Sequence, residues 1–219
     1  MIINNAINFS GKYHFLQKQK NLPCAYCGQP VINEAQLKEL QRNLEGKKAL
    51  EIAQILEPYI DIFPDGAKGK KFLTEVVTYA KCPKYKDWKF KELAMLGTEE
   101  KIFDNNYKKT LENIFNSILF SVEHTTPKSE NGVNRYFNYL PMHISCNNDR
   151  KSKNYAQLVI VNPDFVANIR KSLLEIKNRI SSDKLGQTSY GIHLPDDYFS
   201  GIKENIDKQG ISKEFFADI

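Results

Sequence analysis

The sequence lacks any run of apolar residues long enough to cross a membrane, and it is poor in cysteine. A membrane-spanning helix needs roughly 18 successive apolar residues, and none of the 219 residues begins such a run. The first residues also lack a basic stretch followed by an apolar one, so we expect no signal peptide, no membrane partner and a cytoplasmic location. In that compartment, the four cysteines are not expected to form structural disulfides.

A strong charge of one sign is absent too. The chain carries 31 basic and 26 acidic residues, a formal net charge of +5. This small excess fits a polyanionic partner such as nucleic acid but does not require one. Hydrophobic residues make up 41% of the chain, as in ordinary globular proteins. We find no internal repeat, no low-complexity segment and no clear linker, which predicts a single domain.

Apolar residues recur at helical spacing over most of the chain. Asparagine caps, glycines and prolines mark where the predicted helices begin and end. The pattern predicts a helix between Asn33 and Gly46, a helix that stops near Pro58, a helix around residues 72–77, a long helix over 99–119, an amphipathic helix after Asn162-Pro163, and short helices around Asp197 and Ser212.

The pattern changes between residues 120 and 156. A β-branched and aromatic strand over residues 120–124 is followed by a polar loop over 125–134. A returning strand is predicted over 136–142 and a polar, basic helix over 147–156. The expected fold class is therefore α+β, with a small ββα core embedded in a mostly helical chain.

Cysteine spacing points to a metal site. Cys24 and Cys27 form a C-x-x-C pair on a turn that a glycine ends, and His143 and Cys146 form a matching H-x-x-C pair. Three cysteines and a histidine are a common ligand set for structural zinc. A redox pair or chance spacing is the alternative for Cys24 and Cys27. Cys82 is expected to be an ordinary thiol. The alternative is that Cys82 takes the place of His143 as a zinc ligand.

Four polar residues of the ββα segment suit phosphodiester hydrolysis: Glu123, His124, Asn138 and Asn147. Carboxylate and amide oxygens are the ligands that Mg²⁺ prefers. A neutral histidine can take a proton from an attacking water near neutral pH. A lone histidine would by default be structural, and we interpret His14 and His193 in that way.

The amino-acid sequence of this segment resembles the motif of the HNH (ββα-metal) nucleases. The motif is V-E-H-T-T-P-K-S from Val122, then N-Y-L-P from Asn138, then C-N-N-D-R-K from Cys146. Asn138 lies 14 positions after His124, and Asn147 lies nine positions after Asn138, as in that family.

The resemblance implies a role for each residue of the motif. Glu123 and Asn147 would hold a catalytic Mg²⁺ or Mn²⁺, His124 would be the general base, and Asn138 would orient His124. The substrate would be DNA, with RNA as an alternative because the same chemistry acts on both backbones. Zinc on Cys24, Cys27, His143 and Cys146 would stabilise the core.

Two departures from the family pattern direct the interpretation further. Glutamate replaces the usual aspartate at Glu123, and 95 residues, 28–122, lie between the first cysteine pair and Glu123. This long insertion is similar to HNH nucleases of bacterial anti-phage systems, such as the Septu and retron-associated partners. It implies a defence nuclease with an ATPase subunit as a possible partner. A non-catalytic zinc-stabilised nucleic-acid-binding or adaptor module, and a secreted nuclease toxin, are the alternatives.

The expected organisation is one domain in four parts. These are a zinc-knuckle half over residues 1–32, a helical insertion over 33–119, the HNH core over 120–156 and a C-terminal helical region over 157–219.

Arg150, Lys151 and Lys153 are predicted to bind phosphate, with a solvated helix face as the alternative. Residues 81–91 interleave lysines with aromatics, which suits either a nucleic-acid surface or a solvated loop over the core.

Overall fold

The fold is α+β, with many helices around one small sheet. A computed structural model describes residue 16 and residues 18–127, 130–133, 135–151, 153–181 and 197–219. His14, His193, Lys128 and Ser129 lie outside this part of the chain. The described helices are α1 (Glu34–Leu44), α2 (Ala49–Ile60), α3 (Lys68–Lys81), α4 (Phe90–Ala94), α5 (Tyr107–Phe115), α6 (Ile144–Arg150), α7 (Tyr155–Val161), α8 (Phe165–Ser181) and α9 (Asp197–Lys208).

The sheet consists of two antiparallel strands, β1 (Phe120–His124) and β2 (Tyr139–His143). In the register of this hairpin, His124 lies opposite Tyr139 and Phe120 lies opposite His143. Helix α6 begins at the residue after β2, so strand, loop, strand and helix follow one another in the predicted order. Within the described residues, no helix combines the length and apolar composition that crossing a bilayer requires.

Two separate clusters of buried apolar side chains hold the chain together. One cluster lies between α1, α2, α3, α4 and α5 and takes its residues from 32–118. The other joins the N-terminal turn, the hairpin and the helices from α6 to α9. The helical insertion therefore has an apolar core of its own, because its helices bury their apolar faces mainly against each other.

The insertion is attached through a narrow neck. Ile32, just before α1, and Leu119, just before β1, form a parallel bridge. The Ile32 amide donates to the Ile118 carbonyl at 3.1 Å, and the Phe120 amide donates to the Ile32 carbonyl at 2.8 Å. The chain thus enters and leaves the insertion at neighbouring points, beside the start of α6, where the Ile144 amide donates to the Leu119 carbonyl.

Helix α1 shows how local sequence sets an element. The Asn33 side chain accepts from the Gln36 amide at 2.8 Å, and the Gln36 side chain accepts from the Asn33 amide at 3.1 Å. This capping box satisfies two amides that the first turn of a helix leaves without partners. The predicted start of the helix at Asn33 is confirmed.

Helix α2 ends at Ile60, two residues after Pro58, as predicted. Two other predicted elements are wrong in extent. The long helix over 99–119 is reduced to α5, because the Asn106 side chain caps a helix that starts at the next residue. The helix over 147–156 is two helices, separated at Lys151, whose φ of 54° a helix does not accommodate.

Candidate metal centre and the adjoining hairpin

The two C-x-x-C-like pairs meet in space, although more than a hundred residues separate them. The ligand atoms of Cys24, Cys27, His143 and Cys146 all lie within 4.8 Å of one another. His143 Nδ1 is 3.3 Å from Cys27 Sγ and 3.7 Å from Cys146 Sγ. Ligand atoms on a tetrahedral zinc site lie roughly 3.5–3.8 Å apart, given Zn–S bonds of about 2.3 Å. These four side chains could therefore hold a structural zinc ion.

The N-terminal pair sits on a tight turn. Pro23 and Pro30 form an antiparallel bridge, and the Gly28 amide donates to the Cys24 carbonyl at 2.8 Å. Gly28 has a φ of +72°, which L side chains rarely adopt. The turn joins the outer edge of β2, where the Ala25 amide donates to the Pro141 carbonyl at 2.8 Å.

Groups around the four side chains orient them. The other ring nitrogen of His143, Nε2, lies 3.0 Å from the Pro30 carbonyl. A proton on Nε2 would satisfy that carbonyl and leave Nδ1 free to bind a metal, as is usual for metal-ligating histidines. The His143 backbone amide points at Cys24 Sγ, 3.4 Å away. Cys82 is not among the ligands, because it ends α3 inside the insertion.

The cluster concentrates negative charge. Burial opposes ionisation of Cys24, but hydrogen bonds from Cys146, Cys27 and His143 lower the pKa of its thiol well below the ordinary value. Burial likewise opposes protonation of His143, yet hydrogen bonds to Cys24 and Cys27 raise its pKa to about 10. Hydrogen bonds to Cys24 and Cys27, together with burial, raise the pKa of the Cys146 thiol. Ionisation is therefore favoured at Cys24, and the charge of that buried thiolate needs a proton or a metal ion to balance it.

Helix α8 and Asn162, which precedes it, bind the turn that carries Cys24 and Cys27. Asn162 and Asn168 both donate to the Tyr26 carbonyl, at 2.7 and 2.8 Å. Lys171 Nζ donates to the Gly28 carbonyl at 2.9 Å. The C-terminal part of the chain is thus joined to the metal centre by three hydrogen bonds to backbone oxygens.

Helix α6 packs against β1 through Asn147. The Asn147 side-chain amide donates to Ser121 Oγ at 2.9 Å and to the Val122 carbonyl at 3.0 Å. Among the described residues, no hydrogen bond reaches the side-chain oxygen of Asn147. The structure therefore brings Asn147 beside the strand that ends in Glu123 and His124, although 24 residues separate Asn147 from Glu123 in the sequence.

Glu123 forms a buried ion pair with Arg150. Both side chains are almost fully enclosed, with 1% and 4% of their surface exposed. Arg150 also donates to the His124 carbonyl at 2.8 Å and lies over the ring of Tyr155. The expectation that Arg150 binds phosphate is not met, because its guanidinium is buried and its partners are protein groups. Lys151 and Lys153 are exposed, so their predicted phosphate contacts stay predictions.

His124 ends β1, half-buried, with its ring edge-to-face against Tyr139 at a centroid distance of 5.0 Å. Asn138 binds the loop after His124. Its side-chain oxygen accepts from Thr125 Oγ1 at 2.6 Å and the Thr126 amide at 2.7 Å, and its amide donates to the Thr126 and Val133 carbonyls. Both amide protons of Asn138 are therefore used within the loop that follows His124.

Residues in α9 and directly after it support this loop, and their role was not predicted from the sequence. Asn205 donates to the Phe137 carbonyl at 3.1 Å, and Gln209, which follows the helix, donates to Glu130 at 2.8 Å. A Cβ at Gly201 would lie 2.7 Å from the Cβ of Phe137, so the helix approaches the chain too closely for a side chain there. The spacing of Gly201, Asn205 and Gln209 by four residues was the signal available in the sequence.

No family model matches the chain, and no curated protein and no solved structure matches it either.

Proposed function

We propose that this protein is a metal-dependent HNH-type endonuclease that hydrolyses DNA phosphodiester bonds. The observation that carries the proposal is the contact between α6 and the end of β1. There Asn147 is hydrogen-bonded to Ser121 and Val122, and Arg150 is hydrogen-bonded to the backbone of His124. These contacts join the two halves of the HNH-like motif, which the sequence alone leaves 23 residues apart.

The residues around His124 suit a general base. Its ring packs on Tyr139, its carbonyl is held by Arg150, and the loop that follows it is tied down by Asn138. A base fixed in this way can accept a proton from water without first being ordered. A zinc ion at the four-residue cluster would hold the start of α6, and so Asn147, in place.

The fit of a catalytic divalent ion to Glu123 and Asn147 is partial. The side-chain oxygen of Asn147 has no hydrogen bond within the described residues, which leaves it available to a hard cation. The Glu123 carboxylate is committed to Arg150 in a buried ion pair. Binding of Mg²⁺ or Mn²⁺ by Glu123 would require the guanidinium to move away, and metal dependence is therefore part of the proposal that needs its own test.

The test is cleavage of supercoiled plasmid by zinc-loaded protein in Mg²⁺ and in Mn²⁺. We expect nicking or linearisation by the wild type, and a rate at least about 100-fold lower for His124→Ala, the usual effect of removing a general base. His14→Ala is the matched control, because it removes another histidine outside the motif. Zinc content and circular dichroism establish that each variant is folded.

Cleavage that survives in His124→Ala would remove this histidine from the mechanism. If folded, zinc-loaded wild type leaves plasmid, single-stranded DNA and RNA intact in both metals, the nuclease proposal fails. The resemblance to defence nucleases supports a role in anti-phage defence with an ATPase subunit, so the same assay is repeated with that class of partner present.

A second candidate function is a non-catalytic, zinc-stabilised nucleic-acid-binding or adaptor module. The Glu123–Arg150 ion pair favours it, because this pair gives the carboxylate a structural role where catalysis would need a metal ligand. Retention of nucleic-acid binding by a protein without any cleavage activity would support this alternative.

A further inference from the structure

One end of the helical insertion carries an unusual concentration of positive charge. Residues 81–91, which we call the distal basic segment, contain five lysines and a single acidic residue, Asp87. Lys84, Lys86, Lys89 and Lys91 are exposed. Asp87 forms its ion pair with Lys48, outside the segment, and interacts with Lys86 only through a weaker coulombic attraction.

The four lysines differ from most others in the insertion by their lack of acidic partners. Among the described residues, no ion pair involves any of them. Seven of the nine insertion lysines outside the segment do form such pairs. They are Lys38, Lys47, Lys48, Lys68, Lys70, Lys71 and Lys109. Within the described insertion, positive charge without a carboxylate partner is therefore concentrated in the distal basic segment, since most other lysines there are paired.

The aromatic residues of the segment give the lysines a fixed support. Tyr85 packs against Trp88 at a centroid distance of 4.6 Å and against Tyr79 at 6.0 Å, and Phe90 is buried. The backbone is also ordered, with the Trp88 amide donating to the Tyr85 carbonyl at 2.8 Å. Phe90 is therefore a core residue, and Tyr85 and Trp88 are partly buried against the core of the insertion. The Lys84 amine lies over the Tyr85 ring at 5.2 Å, so the rings support the lysines that the segment presents to solvent.

The segment lies far from the neck of the insertion. The N-terminal end of α3 contacts the end of α5 near the neck, where a Cβ at Gly69 would lie 2.3 Å from the Ile114 carbonyl. Helix α3 has 14 residues and is therefore about 21 Å long. Its other end leads directly into the distal basic segment. That distance corresponds to roughly six base pairs of duplex, at about 3.4 Å each.

We propose that the distal basic segment is a second DNA-contacting surface, on which Lys84, Lys86, Lys89 and Lys91 bind backbone phosphates of duplex DNA remote from His124. The choice of DNA rests on the proposed function. Four amines without carboxylate partners, mounted on a rigid support, match an extended polyanion, and they carry no geometry for reading base edges. Binding there is independent of sequence and lengthens the stretch of duplex that the protein engages.

The test compares two variants of the full-length, zinc-loaded protein, each lacking four positive charges. One carries Lys84→Gln, Lys86→Gln, Lys89→Gln and Lys91→Gln. The matched control carries Lys38→Gln, Lys70→Gln, Lys71→Gln and Lys109→Gln, which removes lysines already in ion pairs. Both are made in a His124→Ala background without Mg²⁺, so that DNA binding is read without cleavage. The probe is a labelled duplex of about 30 base pairs, titrated between roughly 50 and 200 mM salt.

We expect the first variant to bind at least about tenfold more weakly than its parent near 100 mM salt, and its log–log salt slope to flatten by about 2 to 4. The control should change affinity by less than about threefold. Equal losses in both variants would mean that net charge alone matters, and the proposal would be wrong. It would also be wrong if the parent fails to bind the duplex at low salt, or if only binding of an RNA duplex is weakened.

Failure of the proposed function is a separate result. A protein that never cleaves DNA but shows the expected difference between the two variants keeps the binding surface and loses the nuclease activity. If the wild type cleaves plasmid, but both lysine variants bind the duplex with the same affinity and salt dependence, the protein keeps the activity and loses the surface.

Discussion

Cys24, Cys27, His143 and Cys146 form a candidate metal centre by chemistry that few other side chains can supply. Three sulfurs and one imidazole nitrogen lie within 4.8 Å of one another, with the second ring nitrogen of His143 against a backbone carbonyl. In a closed zinc site of this kind, metal binding and folding are one equilibrium. We therefore expect the four residues to contribute to stability mainly through a bound ion.

His143→Ala is expected to abolish zinc binding and to lower the free energy of unfolding by about 4 kcal/mol or more. For a chain of this size, that corresponds to a fall in Tm of roughly 8–16 °C. Zinc content measured by mass spectrometry and a thermal denaturation curve check both effects. Cys82→Ser is the matched control, because this cysteine lies outside the cluster and should leave zinc content and Tm nearly unchanged. Full zinc occupancy in His143→Ala would contradict the assignment.

The buried ion pair of Glu123 and Arg150 gives a second prediction for single residues. Arg150→Met leaves an isolated carboxylate in a site that is 1% exposed, which should destabilise the protein by about 3–5 kcal/mol. The double variant Glu123→Gln, Arg150→Met should recover part of that loss, because it removes the stranded charge. Urea denaturation of the two single variants and the double variant measures the coupling. Additive losses would show that the two side chains do not interact.

Helix α9 acts on the candidate site at the scale of an element. Asn205 contacts the 3-10 turn over Tyr136–Asn138, and Gln209, which directly follows the helix, contacts the loop residue Glu130. Because the same turn ends in Asn138, which binds the loop after His124, we expect the position of α9 to affect that loop.

Gly201→Ala should displace α9 from Phe137, since the added methyl would meet that side chain at 2.7 Å. Overpacking of this kind typically costs about 1–3 kcal/mol. We expect faster amide hydrogen exchange at Thr125 and Thr126, with zinc still bound. Lys208→Ala, an exposed change on the same helix, should alter neither stability nor exchange. Unchanged exchange in Gly201→Ala would separate α9 from the loop.

At the scale of the whole molecule, the helical insertion and the rest of the chain, which we call the metal-centre half, each have their own apolar core. The two parts are joined at the neck. The Ile32–Leu119 bridge brings both connections of the insertion together. Few buried contacts would then be lost if the insertion were replaced by a linker, since each half buries its own apolar residues.

Replacing residues 34–115 by about six glycine and serine residues, which span roughly 13 Å on average, should leave a protein that folds and binds zinc. Zinc stoichiometry and a cooperative thermal transition provide the measurement. We expect the shortened protein to lose the salt-dependent DNA affinity that the distal basic segment supplies. A shortened protein that neither folds nor binds zinc would show that the insertion supports the metal-centre half.

Local chemistry accounts for the parts of the fold that could be predicted from the sequence. The cap at Asn33, the strand over 120–124 and the helix after Asn162-Pro163 depend on side chains that act within a few residues of themselves, so short-range pattern predicts them. The cluster of four candidate zinc ligands was predictable for a related reason. Paired C-x-x-C and H-x-x-C spacing is useful only if the two pairs meet, so the spacing implies their contact.

Short-range pattern also failed in identifiable places. The apolar spacing over 99–119 favours one long helix, but the Asn106 cap starts a shorter one. Arg150 has the composition of a phosphate-binding residue, yet packing buries it against Glu123 and Tyr155.

The sequence by itself determined the α+β class, the four metal ligands and the order of strand, loop, strand and helix around His124, because these depend on residue chemistry and local spacing. Only the tertiary structure decided that Glu123 is paired with Arg150, that Asn138 binds the loop after His124, and that α9 and Gln209 support this loop from the far end of the chain. Those contacts join residues 12 to 79 positions apart. Which of many compatible polar partners meet depends on how the two cores pack, and that packing has no signature in local sequence.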